Sequence, residues 1–524
     1  MTRYFNTGGP CRPELHYMLP PEQRLPGVRR LIDQQLYFVV HAPRQSGKTT
    51  ALMSLAESLQ AEGRHAALFT TCEAAQAAGR DVERGIATVI ETLLQDAATD
   101  LPPDLRPPAP DDQLEPTTRL RDLLSRWAQS SRLPLVLFFD EIDALLDDVL
   151  IAVLRQLRSG YPKRPALFPS SIGLIGLRDV RDYKIRSGVR PEQETLGTSS
   201  PFNVKVESVT LRDFTLEEVA ELYGQHTRET GQVFAPEAVA FAYELTRGQP
   251  WLVNALARQL VEVLVPDPTT VITPAHVDAA KEILILRRDT HLDSLVDRLR
   301  EPRIRKVIEP ILAGEHLADD VLNDDVAFVE DLGLVTAGRQ GLEIANPIYR
   351  EVIPRALTGI LELNLAILRP SHLDAEGRLR FDLLLEDFRA FWCEHAEAFL
   401  SRAPYSEAAA QLVFMAFLHK VVNGGGFVDR EYAVGRGRID LCVRWPWAGG
   451  VDRWAVELKV WRDGDRIDPI ERGLDQLTTY LERLGLETGT LIVFDARTQA
   501  PPLPNRVTVT EREQRGRRIA VLVL

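Results

Sequence analysis

At 524 residues the chain is too long for one hydrophobic core, so two to four domains are expected. Apolar residues make up 45% and charged ones 26%, which excludes a low-complexity or chiefly disordered chain. The net charge of −13 argues against nucleic-acid binding by bulk charge, but residues 396–524 hold 18 Lys and Arg against 17 Asp and Glu.

The opening MTRYFNTGGPCRPE has no basic stretch followed by an apolar one, so no signal peptide is expected. Residues 1–30 read as a Pro-, Gly- and Arg-rich arm. LYFVVHAP (36–43) is a continuous apolar run ending in a loop, the mark of a buried parallel strand. A helix over 48–61 and a strand over 65–71 follow. Residues 101–118 carry six prolines and form a surface loop. LPLVLFFDE (133–141) and SSIGLIGLRD (170–179) are two further buried strands, and strands alternating with helices predict a parallel α/β sheet. From about 210 the pattern is helical, broken at GQP (248–250). Residues 295–357 read as two helices and a short hairpin, the pattern of a winged-helix unit, and 360–395 as helical and connecting. Beyond 396 come a helix (405–422), a GGG break, strands at 427–434, 438–445 and 453–460, a helix at 467–484, and strands at 489–494 and 517–524. That is a small, separate αβββαβ domain. No apolar run approaches the roughly 18 residues of a membrane span. Cys11, Cys72, Cys393 and Cys442 form no CxxC pair, so a reducing cytoplasm without structural zinc is expected.

APRQSGKTT (42–50) follows the GxxxxGK[ST] pattern, whose chemistry is a ring of backbone N–H groups around phosphates at a helix N-terminus. Pro43, Arg44, Gln45, Ser46 and Gly47 would form the cradle, Lys48 would reach the terminal phosphates, Thr49 would ligand Mg²⁺, and Thr50 would close the set. Ala42 stands where the pattern has its first Gly, and Ala tolerates positive φ poorly, so the start of the loop is expected to depart from the pattern. Asp140 closes the buried strand LVLFFD, where it would hold Mg²⁺ through water. Glu141 would orient and deprotonate the attacking water, and Arg178 after the third strand would sense the γ-phosphate.

Taken in order, GGPCRPELHYMLP, YFVVHAPRQSGKTT, FFDEID, GLRDVRDY, TRGQPWLVNALA and DLGLV...ANPIYREVIP resemble the AAA-like ATPases of the STAND group over roughly 1–360. The resemblance implies ATP, homo-oligomerisation and switching. It also implies a P-loop domain (31–210), a helical lid (211–290) whose GQPW turn senses nucleotide, and a winged helix (291–360). The acidic LADDVLNDDVAFVED makes that winged helix a packing module rather than a groove reader.

In the last domain, RWAVELKVW (453–461) puts Glu457 and Lys459 on one strand face. GRGRIDLCVRW (435–445) puts Asp440 at a strand start behind Arg436 and Arg438, and GLDQLTTY puts Gln476 and Tyr480 four apart on one helix. Asp440 and Glu457 on adjacent strands would ligand Mg²⁺ with the Leu458 carbonyl, and Lys459 would position the water attacking a phosphodiester. These segments resemble the PD-(D/E)xK nuclease superfamily over about 400–524, in a subgroup fused to AAA-type ATPases. Ile439 replaces the usual proline. The resemblance implies a carboxylate on the first helix, here Glu407 with Glu431 as runner-up, and a role for Gln476 and Tyr480 in steadying the metal and touching DNA. Trp445, Trp447, Trp454 and Trp461 read as packing residues.

The expected protein is thus a multidomain α/β chain: arm 1–30, ATPase 31–210, lid 211–290, winged helix 291–360, helical linker 361–398 and nuclease 399–524. It is cytoplasmic, homo-oligomeric and off the membrane, uses ATP and Mg²⁺, and acts on DNA, with RNA as the alternative. Defence or mobile-element processing is the expected setting. The rival is a STAND-type scaffold whose tail binds DNA or a partner without cutting.

Overall fold

The computed structural model describes residues 3–176, 207–287, 295, 298–299, 301–312, 324–338, 341–353, 372–400, 409–422, 426–434, 437–463, 468–497, 499–502 and 505–524. Arg178, Glu407 and Arg436 lie outside them. The chain divides into two compact units, Met1–Arg287 with Ala327–Val335, and Arg288–Val326 with Thr336–Leu524.

In the first unit, α1 (Val28–Asp33), β1 (Phe38–His41), α2 (Lys48–Ala61), β2 (Ala66–Thr71), α3 (Val82–Asp100), α4 (Pro116–Ser130), β3 (Leu135–Asp140), α5 (Asp147–Gly160), β4 (Ser171–Gly176) and β5 (Glu207–Thr210) build a five-stranded sheet of order β2-β3-β4-β1-β5. Every pairing is parallel. The strands are apolar throughout because both faces are covered. Phe38, Val40, Val136 and Phe138 pack under α1 and α2, through Leu31, Leu52 and Leu55. Tyr37, Val39, Leu137 and Phe139 pack under α3, α4 and α5, through Ile90, Leu93, Trp127 and Leu154. The strands of 36–43, 65–71, 133–141 and 170–179 thus appear within their expected bounds, whereas β5 carried no signal of its own.

Four helices follow: α6 (Leu216–Thr230), α7 (Pro236–Thr246), α8 (Pro250–Gln259) and α9 (Pro274–Arg287). A reciprocal Thr215–Glu218 capping box starts α6, and Pro236 and Pro250 occupy first-turn positions that need no N–H donor. The N-terminal segment folds onto these helices: Phe5 and Tyr17 are buried against Tyr223 and His226.

Next come α10 (Pro302–Leu312), α11 (Asp324–Asp331) and the two-stranded sheet of β6 (Val335–Gly338) and β7 (Gly341–Ile344). The second unit also contains α12 (Phe381–Leu400), α13 (Ala409–Val422), β8 (Phe427–Val434), β9 (Gly437–Trp447), β10 (Gly450–Trp461), α14 (Pro469–Leu484), β11 (Thr488–Asp495), β12 (Thr508–Gln514) and β13 (Arg517–Val523), whereas most of α11 belongs to the first. Its sheet runs β12-β13-β11-β10-β9-β8, parallel only where β11 joins β10 and β13. Leu474, Leu477 and Leu481 of α14 cover Ala455, Leu491, Val493 and Val521 on one face. The order αβββαβ therefore becomes αβββαβββ: β13 falls on the run expected at 517–524, and β12 is a strand the sequence did not announce. EREQRGRRIA, four arginines in a row of polar residues, is the β12–β13 hairpin, turned at Arg515 and Gly516, both at positive φ. Among the described residues no helix is long and apolar enough to cross a membrane.

Candidate functional site

The loop 42–47 leaves the C-terminal end of β1, and Gly47 caps α2 at φ 87°. Its other positive-φ residue is Gln45, at 57°. Ala42 keeps a negative φ and is buried, so the missing glycine costs no strain there. Lys48 Nζ donates to the carbonyls of Ala42 (2.6 Å) and Pro43 (2.8 Å). Burial pulls its pKa down to about 8 against the upward pull of Asp140, Glu141 and Asp143.

Asp140 ends β3, two strands from β1 with β4 between them. Its Oδ2 accepts from Thr49 Oγ1 at 2.7 Å and its Oδ1 from the Glu141 N–H at 2.9 Å. Glu141 has left-handed backbone (φ 51°, ψ 41°), rare for this residue type and characteristic of functional turns. Burial, then the charges of Asp143 and Asp140, hold its carboxyl above the usual range. Thr50 Oγ1 accepts from the Cys11 N–H at 3.0 Å, which seats the N-terminal segment on the first turn of α2. Asp331 comes within 3.9 Å of His41 at the end of β1, and a Cβ on Gly333 would meet Pro43 at 2.6 Å.

The second constellation arises where two strands part. The β9–β10 ladder ends at the pair Leu441–Val456. One step further, the Leu458 N–H is taken by Asp440 Oδ2 at 2.8 Å instead of by a strand partner. Glu457 lies on the face covered by α14 and is 2% exposed. Its Oε1 accepts from Lys459 Nζ at 2.7 Å, while Oε2 is buried with no hydrogen-bond partner. Burial first, and Asp440 second, raise its pKa strongly; Lys459 opposes the shift. Gln476 Oε1 on α14 is also buried and unpartnered. Tyr480, one turn on, has its pKa raised by burial and by the charges of Glu457 and Asp440, which places it in their field. Asp440, Glu457, Lys459 and Tyr480 are thus brought together, and Gln476 stands one turn before Tyr480 on α14. The pairs Arg430–Leu441 and Tyr432–Ile439 put position 431 across from 440 on β8.

A buried carboxylate oxygen without a donor, beside a second carboxylate, suits a hard cation better than a solvated ion pair. Among the described residues no three His, Cys, Asp or Glu converge as a metal group, so main-chain or amide oxygens would have to complete such a site. The tryptophans are packing residues: Trp445 is buried, Trp454 stacks on Phe381 (5.4 Å between centroids), and Trp461 lies under Arg497. One buried residue beside the phosphate loop, Arg24, has no pattern around it in PPEQRLPG and was invisible in sequence.

No curated protein matches the chain. Among solved structures, the Walker-type ATPase paby2304 of Pyrococcus abyssi is similar at 16% identity and TM-score 0.45, over 67% of this chain and 99% of that one. Cdc6p from Pyrobaculum aerophilum gives 14%, 0.35, 67% and 96%. The Thermotoga maritima RuvB Holliday junction branch migration motor gives 15%, 0.32, 62% and 91%. At these scores the likenesses say nothing of function. The sequence pattern of the AAA ATPase domain family matches residues 28–168, the stretch that carries the phosphate loop, Asp140 and Glu141. Residues 28–168 are an AAA-type P-loop ATPase domain.

Proposed function

We propose that the chain is an ATP-binding and ATP-hydrolysing switch that controls its own divalent-metal-dependent nuclease domain, with DNA as the substrate. In the first unit Lys48 leaves the Ala42 and Pro43 carbonyls for the terminal phosphates of ATP. Thr49, and Asp140 through water, would hold Mg²⁺, and Glu141, with its raised pKa, would take the proton of the attacking water. Pro43, Arg44, Gln45, Ser46, Gly47 and Thr50 frame the phosphates, and Arg178 after β4 is assigned to the γ-phosphate.

In the second unit Asp440, Glu457 and the Leu458 carbonyl are assigned to a divalent ion, normally Mg²⁺. Such an ion, when bound, supplies positive charge at the scissile phosphate and makes a neighbouring water more acidic. Lys459, released from Glu457, holds that water against the phosphorus and keeps its own charge beside the phosphate. Gln476 and Tyr480 fix the Glu457 carboxylate and touch the DNA backbone. Glu407 is assigned the helix carboxylate, with Glu431 next in line. The resemblance to PD-(D/E)xK nucleases favours phosphodiester cleavage over mere binding. The observation that carries this half is the orphaned Glu457 Oε2, buried beside Asp440 at the point where β9 and β10 part.

The test is incubation of the full chain with supercoiled and linear DNA and Mg²⁺, with and without ATP, beside Lys459→Ala and Lys48→Ala. Cleavage by wild type and not by Lys459→Ala is expected, with Lys48→Ala changing its dependence on ATP. Binding of DNA without cleavage under every nucleotide would move the scaffold reading ahead.

A further inference from the structure

Arg24 ends a short 3-10 turn, Pro21–Arg24, and its residue is only 4% exposed. A guanidinium is costly to bury and is kept where its planar fork meets fixed acceptors. Here the acceptors are main-chain carbonyls. Nε and Nη2 both donate to the Arg212 carbonyl (2.9 and 2.5 Å), and Nη2 also donates to the Ser46 carbonyl at 2.8 Å. Its Cζ stands 4.7 Å from the centre of the Phe214 ring. Burial lowers its pKa to about 10, which leaves it charged near neutrality.

These contacts join the phosphate loop to a second segment of the unit. In a planar trans peptide the N–H points opposite to the carbonyl, so a donor that fixes the Ser46 carbonyl also aims the Gly47 N–H. Arg212 and Phe214 belong to the connection between β5 and α6. Phe214 is in turn locked to the turn before α8: its N–H donates to the Gly248 carbonyl at 2.9 Å, and a Cβ on Gly248 would lie 1.9 Å from the Phe214 carbonyl oxygen. Gly248 has φ 79°, so both the space and the backbone demand glycine there. Gln249 caps α8 by accepting from the Leu252 N–H at 2.6 Å and reaches back to the Gln45 carbonyl in a long 3.5 Å contact. The contacts close a ring: Gln45–Ser46, Arg24, Arg212–Phe214, Gly248–Gln249, and Gln45 again.

We infer that Arg24 is a positioning residue that ties the direction of the phosphate-binding N–H of Gly47 to the placement of the first turn of α8, so that occupancy of the phosphate loop is transmitted to the helical segment through its guanidinium. Arg24 need not touch nucleotide to do this; it acts through main-chain groups. The GQP turn is then the receiving end and Arg24 the link. A lysine ammonium lacks the planar fork that meets the Ser46 and Arg212 carbonyls while lying flat on Phe214.

The inference rests on ATP occupying the phosphate loop and is independent of the second unit. The full chain, as wild type, Arg24→Met, Arg24→Lys and Lys48→Ala, is titrated with ATP and Mg²⁺ and followed by hydrogen exchange at 48–51 and 248–253. In wild type ATP protects both segments. In both Arg24 variants affinity falls by about ten-fold or more. At ATP concentrations that saturate each variant, 48–51 gains protection as in wild type while 248–253 does not. Full protection of 248–253 in the variants overturns the inference, as does protection of 48–51 alone in wild type. If Arg24→Met does not fold, Arg24→Lys decides on the same readout. Wild type that behaves like Lys48→Ala at 48–51 removes the ATP reading itself, a failure distinct from the other two.

Discussion

In the phosphate loop the lysine rests on main-chain carbonyls, Lys48 on Ala42 and Pro43, and both oxygens of the neighbouring Asp140 are satisfied by Thr49 and the Glu141 N–H. Where β9 and β10 part, the lysine rests on a carboxylate, Lys459 on Glu457, and the other oxygen of that carboxylate is buried with nothing to accept from. Both sites set a lysine beside acidic groups, yet they stand in different energetic positions. The first holds together without a ligand, and ATP must displace hydrogen bonds the protein already makes to itself. The second is left short of positive charge, and a cation would relieve a cost built into the fold. ATP should therefore be gained mainly as affinity, a divalent ion partly as stability.

The largest effect that could break this contrast lies at Asp440. Asp440→Asn keeps an oxygen to accept from the Leu458 N–H, so the splay of β9 from β10 survives while the charge goes. Cleavage of supercoiled DNA should fall by roughly 10²–10⁴-fold with the melting temperature almost unchanged. A variant that cuts at the wild-type rate would show that Asp440 is a strand brace alone. At the other site, Lys48→Ala should cost about 2–5 kcal/mol of ATP affinity, since it removes a charged partner of the phosphates. Calorimetric titration with ATP and Mg²⁺ that finds equal affinity in the two proteins would take Lys48 out of the site.

A smaller effect sharpens the contrast through pH. Lys48 in the free protein titrates at about 8, lowered chiefly by burial, while phosphate beside it favours the charged form. Binding then requires the proton to be present, and affinity falls as pH rises through about 8, by at most about ten-fold per pH unit above it. Lys48→Arg should flatten the profile between pH 7 and 9. A flat wild-type profile over that range would mean that the resting ammonium is solvated rather than buried under the loop.

The phosphate site was legible because its signals are local: a buried apolar run, GKT, and a second run ending in DE fix both sheet position and chemistry. Gly47 and Thr49 fall as the pattern requires. Ala42 needs no glycine, since the positive-φ residues of the loop are Gln45 and Gly47. Arg24 was not legible, because a buried arginine and an exposed one look alike until the Ser46 and Arg212 carbonyls are brought to it by distant strands. In the second unit, the spacing of Asp440 and Glu457 on two successive strands was enough to pair them, but not to show how they meet, because that depends on a ladder that stops after Leu441–Val456. Strand β12 was missed for a plainer reason. TVTEREQ sits at the sheet edge, where almost every side chain faces solvent and leaves no apolar alternation to read.

The subtlest test concerns stability, and it turns on the sign of one shift. Burial holds the Glu457 carboxyl well above the ordinary carboxylate range. The native protein therefore keeps a proton that the unfolded chain releases first, so the stability tied to that proton is full at acid pH and is lost as pH rises through the native value. Glu457→Gln mimics the protonated form, has no such slope, and should melt a few degrees above wild type at alkaline pH without metal, a gain of about 1 kcal/mol or more. Adding Mn²⁺ should reverse the order, raising the wild-type midpoint and leaving the variant unmoved, because the ion supplies what the orphaned oxygen lacks. If wild type and Glu457→Gln respond alike to Mn²⁺ across that pH range, the Glu457–Lys459 pair is self-sufficient, and the two sites differ less than their hydrogen bonds suggest.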